Sequence, residues 1–366
     1  MAFSYYRSIT IDHTKCGSGD SSGFPVLISG TYSYLATVGN GGKVQNANGY
    51  DVGFYSDSAL TTKLPWEVEL YTASTGLVIY WVQVPTLSVS VDTVIYMAYG
   101  DPSISTDQSN KTGTWDSGFA AVYHMNDNAA NSNVLDSTSN ANTGTATNGS
   151  PINTNTSGFG GQTGKIGSCI AFDGSSQYIT IPNSTSLNSW LALTVSAWIK
   201  ASTGMAQYAR LMEKGSNNEW TLAWNVTAGS NKLSLQLIGQ SGVSVTSSSA
   251  LADGSTWHKV DAVITHPSNY AESLGVDNSF TSGITSNSTP TKTHDLRIAN
   301  YGGGGLLYKG SIDEIRISTV NRNTDWLTSE YNGQSAPDKG TFGSSGFYTV
   351  GSEIATTSFH PQVRVF

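Results

Sequence analysis

Charge is scarce in this chain of 366 residues, at 12% Asp, Glu, Lys and Arg together, about half the share of an ordinary soluble domain. Long solvent-facing helices laced by ion pairs are therefore not expected. The 18 Lys and Arg are outnumbered by 26 Asp and Glu, for a net charge of -8. Without clustered cations the chain has no means of neutralising a phosphate backbone, so nucleic acid is a poor partner. Only two cysteines occur, which excludes a disulfide scaffold. Cys16 and Cys169 fall in different expected domains and are read as free thiols. No run of about 18 apolar residues is present, so no membrane-spanning helix is expected. The first ten residues carry no basic region followed by an apolar core, and read as a strand, not as a secretory signal. Metal motifs are missing as well: the six His show no HxxxH-type spacing.

What the chain does have is short strands. Ser, Thr, Asn, Gly and Tyr are abundant, and apolar residues alternate with polar ones at the period of two that a half-buried strand requires. Tyr5-Tyr-Arg-Ser-Ile-Thr-Ile-Asp12, Phe24-Pro-Val-Leu-Ile28, Gly49-Tyr-Asp-Val-Gly-Phe-Tyr55, Trp66-Glu-Val-Glu-Leu-Tyr71, Ile79-Tyr-Trp-Val-Gln-Val-Pro85 and Thr93-Val-Ile-Tyr-Met-Ala-Tyr-Gly-Asp101 are such runs, separated by turn residues. Together they predict one β-sandwich over 1–105. The polar stretch 101–113 reads as a link. A second set begins with Ile166-Gly-Ser-Cys-Ile-Ala-Phe-Asp-Gly-Ser-Ser-Gln-Tyr-Ile-Thr-Ile-Pro182 and Leu193-Thr-Val-Ser-Ala-Trp-Ile199 and predicts another sandwich over 113–320. Residues 321–366 form a C-terminal extension. It carries one expected helix, Asn323–Tyr331, capped by Asn323 or Thr324, and then two strand-like runs that return to a sandwich or reach a neighbouring subunit. The fold class is all-β.

The second set, with Trp257-His-Lys-Val260 and Gly310-Ser-Ile-Asp-Glu-Ile-Arg-Ile317 following in that order, resembles the laminin-G-like, concanavalin A-like family of jelly-roll domains. Its opening also fits: Ala121-Val-Tyr-His-Met125 as a strand, then Leu135-Asp-Ser-Thr-Ser-Asn-Ala-Asn-Thr-Gly144. The latter resembles the family's Asp-Ser-x-Gly-Asn-x-x-x-Gly turn, with Ser139 in place of the first Gly and Asn140 and Gly144 expected at left-handed angles. The first set resembles an uncharacterised β domain that commonly precedes a laminin-G-like domain in bacterial and phage proteins. Relatives of the jelly roll often hold calcium between the early Asp-Ser turn and the last strand. That resemblance implies Asp136 and Asp313 as ligands, against a plain Asx cap at Asp136 and a local cap or pair at Asp313.

Sugar-binding surfaces join an aromatic platform to Asn, Asp or Arg, and the loops around Trp220, Tyr270, Asn300 and Tyr301 offer those types. The run Gly302–Gly305 beside Tyr301 reads as a loop allowing close approach. Trp198 and Trp257 lie in apolar alternation and are expected in the core. Catalysis is not expected. The hydrolase branch of this fold carries Glu-x-Asp-x-Glu, or a one-residue-longer form, on one strand, and neither occurs. Glu67-Val-Glu69 lies in the other domain, and Asp313 and Glu314 should face opposite sides of a strand. The functional expectation is a non-catalytic structural protein of a phage particle, made in the host cytoplasm, that displays a lectin-like domain to a host-surface glycan. Its anchor to other virion proteins or to itself would be the first domain and C-terminus, through Tyr5, Tyr6, Trp66, Trp81, Phe359 and Phe366. The alternatives are a secreted bacterial carbohydrate-binding module or adhesin, and a glycoside hydrolase with an unrecognised site.

Overall fold

A computed structural model describes residues 3–127, 132–148, 159–188, 192–215, 219–237, 244–265, 270–285, 293–302 and 304–356. Strands of the described residues form four sheets, and the chain divides into two compact units, Met1–Asp116 with Thr324–Phe366, and Ser117–Asn323. The segment 321–366, set apart on sequence grounds, is thus not a separate piece: from Thr324 on it belongs to the first unit. Among the described residues no helix is long and apolar enough to cross a membrane.

In the first unit, Tyr5–Ile11 pairs with Thr93–Tyr99, which pairs with Val52–Tyr55. A three-stranded sheet is made of Ser21–Thr31, Leu77–Leu87 and Trp66–Thr72. Alternation sorts the side chains: Ile9, Ile11, Ile95 and Met97 are buried from one sheet, and Val26, Ile28, Val78 and Val82 from the other. The C-terminal segment completes this unit. Tyr348–Val350 and Ile354–Ala355 both pair antiparallel with Tyr5–Ile11, with Ile9 opposite Val350 and Tyr5 opposite Ala355. The helix runs from Thr324 to Ser335, longer than the sequence suggests. It buries Trp326 and Leu327, and the Trp326 ring lies 4.7 Å from that of Phe24.

Two residues assigned to an anchoring surface are core instead: Trp66 and Trp81 are fully buried, their rings being worth more inside the sandwich than in water. Tyr5 and Tyr6 are half-buried, and Phe359 and Phe366 lie outside the described residues. Glu67 and Glu69 are indole acceptors, taking hydrogen bonds from Trp115 Nε1 and Trp81 Nε1, each at 2.8 Å.

The second unit has two eight-stranded sheets. One contains Ser168–Asp173, Lys309–Ser318, Ala192–Ala201, His258–Thr265, Tyr270–Val276 and Ser279–Thr285, with Phe119–Tyr123 on the Lys309–Ser318 strand. The other runs Ser244–Thr246, Leu233–Leu237, Trp220–Trp224, Arg210–Lys214, Leu296–Ile298, Tyr178–Ile181, Gly144–Thr147, Asn133–Val134. Their facing sides share one apolar core that includes Ile170, Val195, Ile199, Met212, Leu222 and Ile298. The Phe172-Asp-Gly174 turn forms as expected. Gly174 sits at φ 71°, where a Cβ would come within 2.7 Å of Lys309 Cβ, so only glycine suits it. Cys16 and Cys169 are free thiols.

Three sequence expectations are corrected in this unit. At the Asp136 turn the left-handed residue is Ala141, at φ 51°, not Asn140 or Gly144, because the chain must reverse there to bring Asn142 N onto Asp136. Trp198 is buried but alternates away from Ala197 and Ile199 on the core side, with Lys165 Nζ 4.8 Å from its ring centroid, and Trp257 is only half-buried. Asp313 and Glu314 do not take opposite faces. Ser196 pairs with Arg316 and Trp198 with Asp313, so the strand carries an extra residue, and Glu314 has φ 50°. With Ile312, Ile315 and Ile317 in the core, this bulge leaves both carboxylates on the other side.

Candidate functional site

Strand pairing lays a polar row across the outer face of the sheet that runs from Ser244 to Asn133. Register places Gln236 beside Ser244, Thr221 beside Gln236, and Glu213 beside Thr221. The row continues through Arg297, Thr180, Thr145 and Asn133. The adjacent row, Val245, Leu235, Leu222, Met212, Ile298, Ile179 and Ala146, is entirely core. Since alternate residues of a strand face opposite sides, the polar row must point away from the core. Its ends are exposed or half-buried, whereas Thr221 and Glu213 at its centre are fully buried.

What covers the centre is a loop held down on it. Ala299 N donates to Leu211 O at 2.8 Å and Arg210 N to Leu306 O at 2.8 Å, which folds the 299–306 segment back along the Arg210–Lys214 strand. Gly302 N then donates to Glu213 Oε1 at 2.6 Å. Gly304 and Gly305 both have positive φ, 87° and 77°, which lets the loop turn so tightly. Arg210 closes the other side: its Nε donates to Glu213 Oε2 at 3.3 Å and its Nη1 to Tyr208 O at 3.0 Å. The guanidinium also lies 5.4 Å from the centroid of the Tyr301 ring, within reach of a cation–π contact.

Burial pushes the Glu213 carboxyl up, against the pull of Gly302 N–H, Arg210 and Arg297. The result is a buried charged pair with the Tyr301 ring, half-buried, against it, while the nearby Tyr208, whose backbone carbonyl Arg210 holds, is exposed. Asn300 is buried beside them, and its Oδ1 has no hydrogen-bond donor among the described residues. Such an arrangement offers a ligand rich in hydroxyl groups the Tyr301 ring beside a fixed charged pair.

Of the residues singled out from the sequence for sugar contact, the fold brings Asn300 and Tyr301 together here. Trp220 is core, 2% exposed and packed with Leu222, Leu235 and Leu237. Its segment Trp220-Thr-Leu-Ala-Trp224 alternates, so the period of two already marks Trp220, Leu222 and Trp224 as one buried face. Tyr270 begins the Tyr270–Val276 strand in the other sheet, opposite Thr285, and its side chain lies outside the described residues. Arg210, Glu213 and Tyr208 were missed. Register shifts between Arg210 and Met212, so that Leu211 and Met212 are both buried and Arg210-Leu-Met-Glu213 shows no alternation.

Asp136 is filled as a turn brace and does not fit the role of a calcium ligand. Asp136 Oδ1 accepts from Val122 N and Thr138 N, and Oδ2 from Thr138 Oγ1 and Asn142 N, at 2.8 to 3.0 Å. Those four bonds fill the acceptor positions that a carboxylate has, and a cation would have to displace them. Asp313 Oδ2 accepts from Ile166 N at 2.9 Å.

Comparison with known proteins places these units. Residues 173–328 match the concanavalin A-like lectin/glucanases superfamily, laminin G type. Residues 48–142 match a domain of unknown function, DUF2341, whose match runs past the first unit into the opening strands of the second. No curated protein matches the chain. Among solved structures, the binding domain of Paraclostridial Mosquitocidal Protein 1 aligns at 11% identity and TM-score 0.45, over 59% of this chain and 52% of that one. The binding domain of Botulinum Neurotoxin DC in complex with SialylT aligns at 10% and 0.44, over 60% and 52%. Domain 4 of AbnA, an extracellular arabinanase of Geobacillus stearothermophilus in complex with arabinotriose, aligns at 17% and 0.42, over 58% and 97%. The chain thus spans about half the length of the first of these structures.

Proposed function

Starting from a chain in which a DUF2341 domain is followed by a concanavalin A-like domain, we propose that the second domain binds glycans without catalysis on the outer face of its Ser244-to-Asn133 sheet. The observation that carries this reading is the polar row with its Arg210–Glu213 centre, against which half-buried Tyr301 packs, with Tyr208 exposed in the sequence neighbourhood of Arg210. Sugar rings stack on aromatic faces through their C–H surfaces, while fixed donors and acceptors select the hydroxyl pattern. Non-catalysis is supported by the state of Glu213, whose two oxygens are held by Gly302 and Arg210. It is a fixture of the sheet, where a hydrolase would need a pair of carboxylates about 5 to 9 Å apart across the scissile bond.

The test is a glycan array followed by calorimetry on the strongest hit. Tyr301→Ala and Tyr208→Ala should each weaken binding about fivefold, since a lost stacking contact of this kind costs on the order of 1 kcal/mol, with the melting temperature unchanged. Absence of any hit, or binding untouched by both variants, rejects the site.

The setting proposed for this domain is the surface of a phage particle, with a host glycan as its ligand. Support for it is the resemblance of the two-domain pairing to bacterial and phage proteins. Antibody labelling separates this from a secreted bacterial adhesin: label on purified particles supports the virion, and label confined to the cell envelope supports the adhesin.

A further inference from the structure

The first unit holds a cavity of about 390 Å³, inside the range of about 300–1,000 Å³ typical of small-molecule sites. Its walls come from stretches far apart in sequence that the fold gathers: Arg7 on the first strand, Tyr32 and Tyr34 after the second, and Asp338 before the C-terminal strands.

Each wall group is fixed, and each keeps bonding capacity. Arg7 lies over the Tyr34 ring at 4.0 Å from its centroid, donates from Nε to Tyr99 Oη at 3.0 Å and from Nη1 to Gly351 O at 2.8 Å. A guanidinium has five N–H donors, so these bonds leave others to spare. Asp338 is buried; its Oδ1 accepts from Gly340 N at 2.9 Å and its Oδ2 from Tyr32 Oη at 3.2 Å. Each oxygen retains a second acceptor position. Around the mouth stand Thr31, Thr341 and Thr349, all exposed, and their hydroxyls have no described hydrogen-bond partner.

Charge selects the class of ligand. Arg7 also pairs with Glu353 at 3.7 Å, and Asp338 adds a carboxylate to the wall, so the cavity holds no surplus cation for an anion such as phosphate. Hydroxyls, a carboxylate and a guanidinium in one polar pocket match a neutral polyhydroxy compound. We infer that this cavity is a second glycan site, independent of the one on the other unit, and that it takes a neutral mono- or disaccharide. The chain then has two sugar sites, one in each domain.

Ligand-observed NMR on the full chain tests it, with glucose, galactose, mannose, N-acetylglucosamine, maltose and cellobiose as probes. At least one should bind, and its signal should persist in Tyr301→Ala, vanish in Thr349→Trp, which plugs the mouth, and weaken about tenfold in Thr31→Val/Thr341→Val/Thr349→Val. The triple variant keeps the side-chain shapes at exposed positions, so it carries the test if the tryptophan variant unfolds. Binding by none of the six probes overturns the inference, and so does a signal that survives in the triple variant while disappearing in Tyr301→Ala.

Discussion

A single carboxylate can be a metal ligand, an acid or a brace, and its hydrogen bonds decide which. Asp136 is a brace: four donors from Val122, Thr138 and Asn142 converge on it. Removing it strands buried N–H groups, each costing on the order of 1–3 kcal/mol when left unsatisfied. Asp136→Ala should therefore lower the melting temperature by several degrees, and by the same amount in calcium as in chelator; a loss seen only in calcium would restore the metal-site expectation. Legibility at this scale was uneven for physical reasons. Trp220 could have been assigned to the core from its own alternation, but its residue type suggested a platform. Tyr301 was singled out because a Gly-rich loop advertises exposure, and it is half-buried, while its neighbour Asn300 is buried. Arg210 and Glu213 were invisible because a bulge removes the periodicity by which strand positions are read.

Elements were easier to read than their partners. Runs such as Ser168–Asp173 and Ala192–Ala201 announce themselves by alternation, whereas nothing local says that Tyr348–Val350 will pair with Tyr5–Ile11, since long-range pairing is chosen by the assembled core. Hairpins lie between these cases. Asp277 and Asn278 both have positive φ, 48° and 65°, the pattern of a two-residue turn that follows strand twist, and they join Tyr270–Val276 to Ser279–Thr285.

That turn is tied to the neighbouring strand by His258, whose Nδ1 lies 2.6 Å from Asp277 Oδ2. The hydrogen bond to Asp277, opposed by burial and aided by the charges of Asp277 and Asp253, raises the imidazole above its ordinary 6.5. A histidine raised on folding contributes stability that is fully present below its unfolded value and is lost as pH rises through the folded one. Thermal melts of wild type and His258→Gln should differ most below about pH 6.5 and converge at higher pH. A gap that widens with pH would show that the pair does not act this way.

At the scale of the whole molecule, the first unit is discontinuous and the second is inserted into it, the chain leaving at Asp116 and returning at Thr324. Residues 117–323 own a complete core and two complete sheets, so expressed alone they should unfold in one cooperative transition by calorimetry. The fragment 1–116, lacking the Thr324–Ser335 helix and the strands Tyr348–Val350 and Ile354–Ala355, should not. A cooperative transition in 1–116 alone would mean that the C-terminal segment is dispensable to that core.

The inserted unit begins and ends side by side: Phe119 pairs with Ser318, and Thr319 N donates to Gly118 O at 2.8 Å. A domain joined in this way hangs from two covalent tethers, not one. A protease that nicks either tether leaves it attached through the other, and shedding requires both cuts. An inserted domain thus has a redundancy that a terminal domain on a single linker lacks, and its detachment should rise with roughly the square of protease exposure at early times instead of in proportion to it.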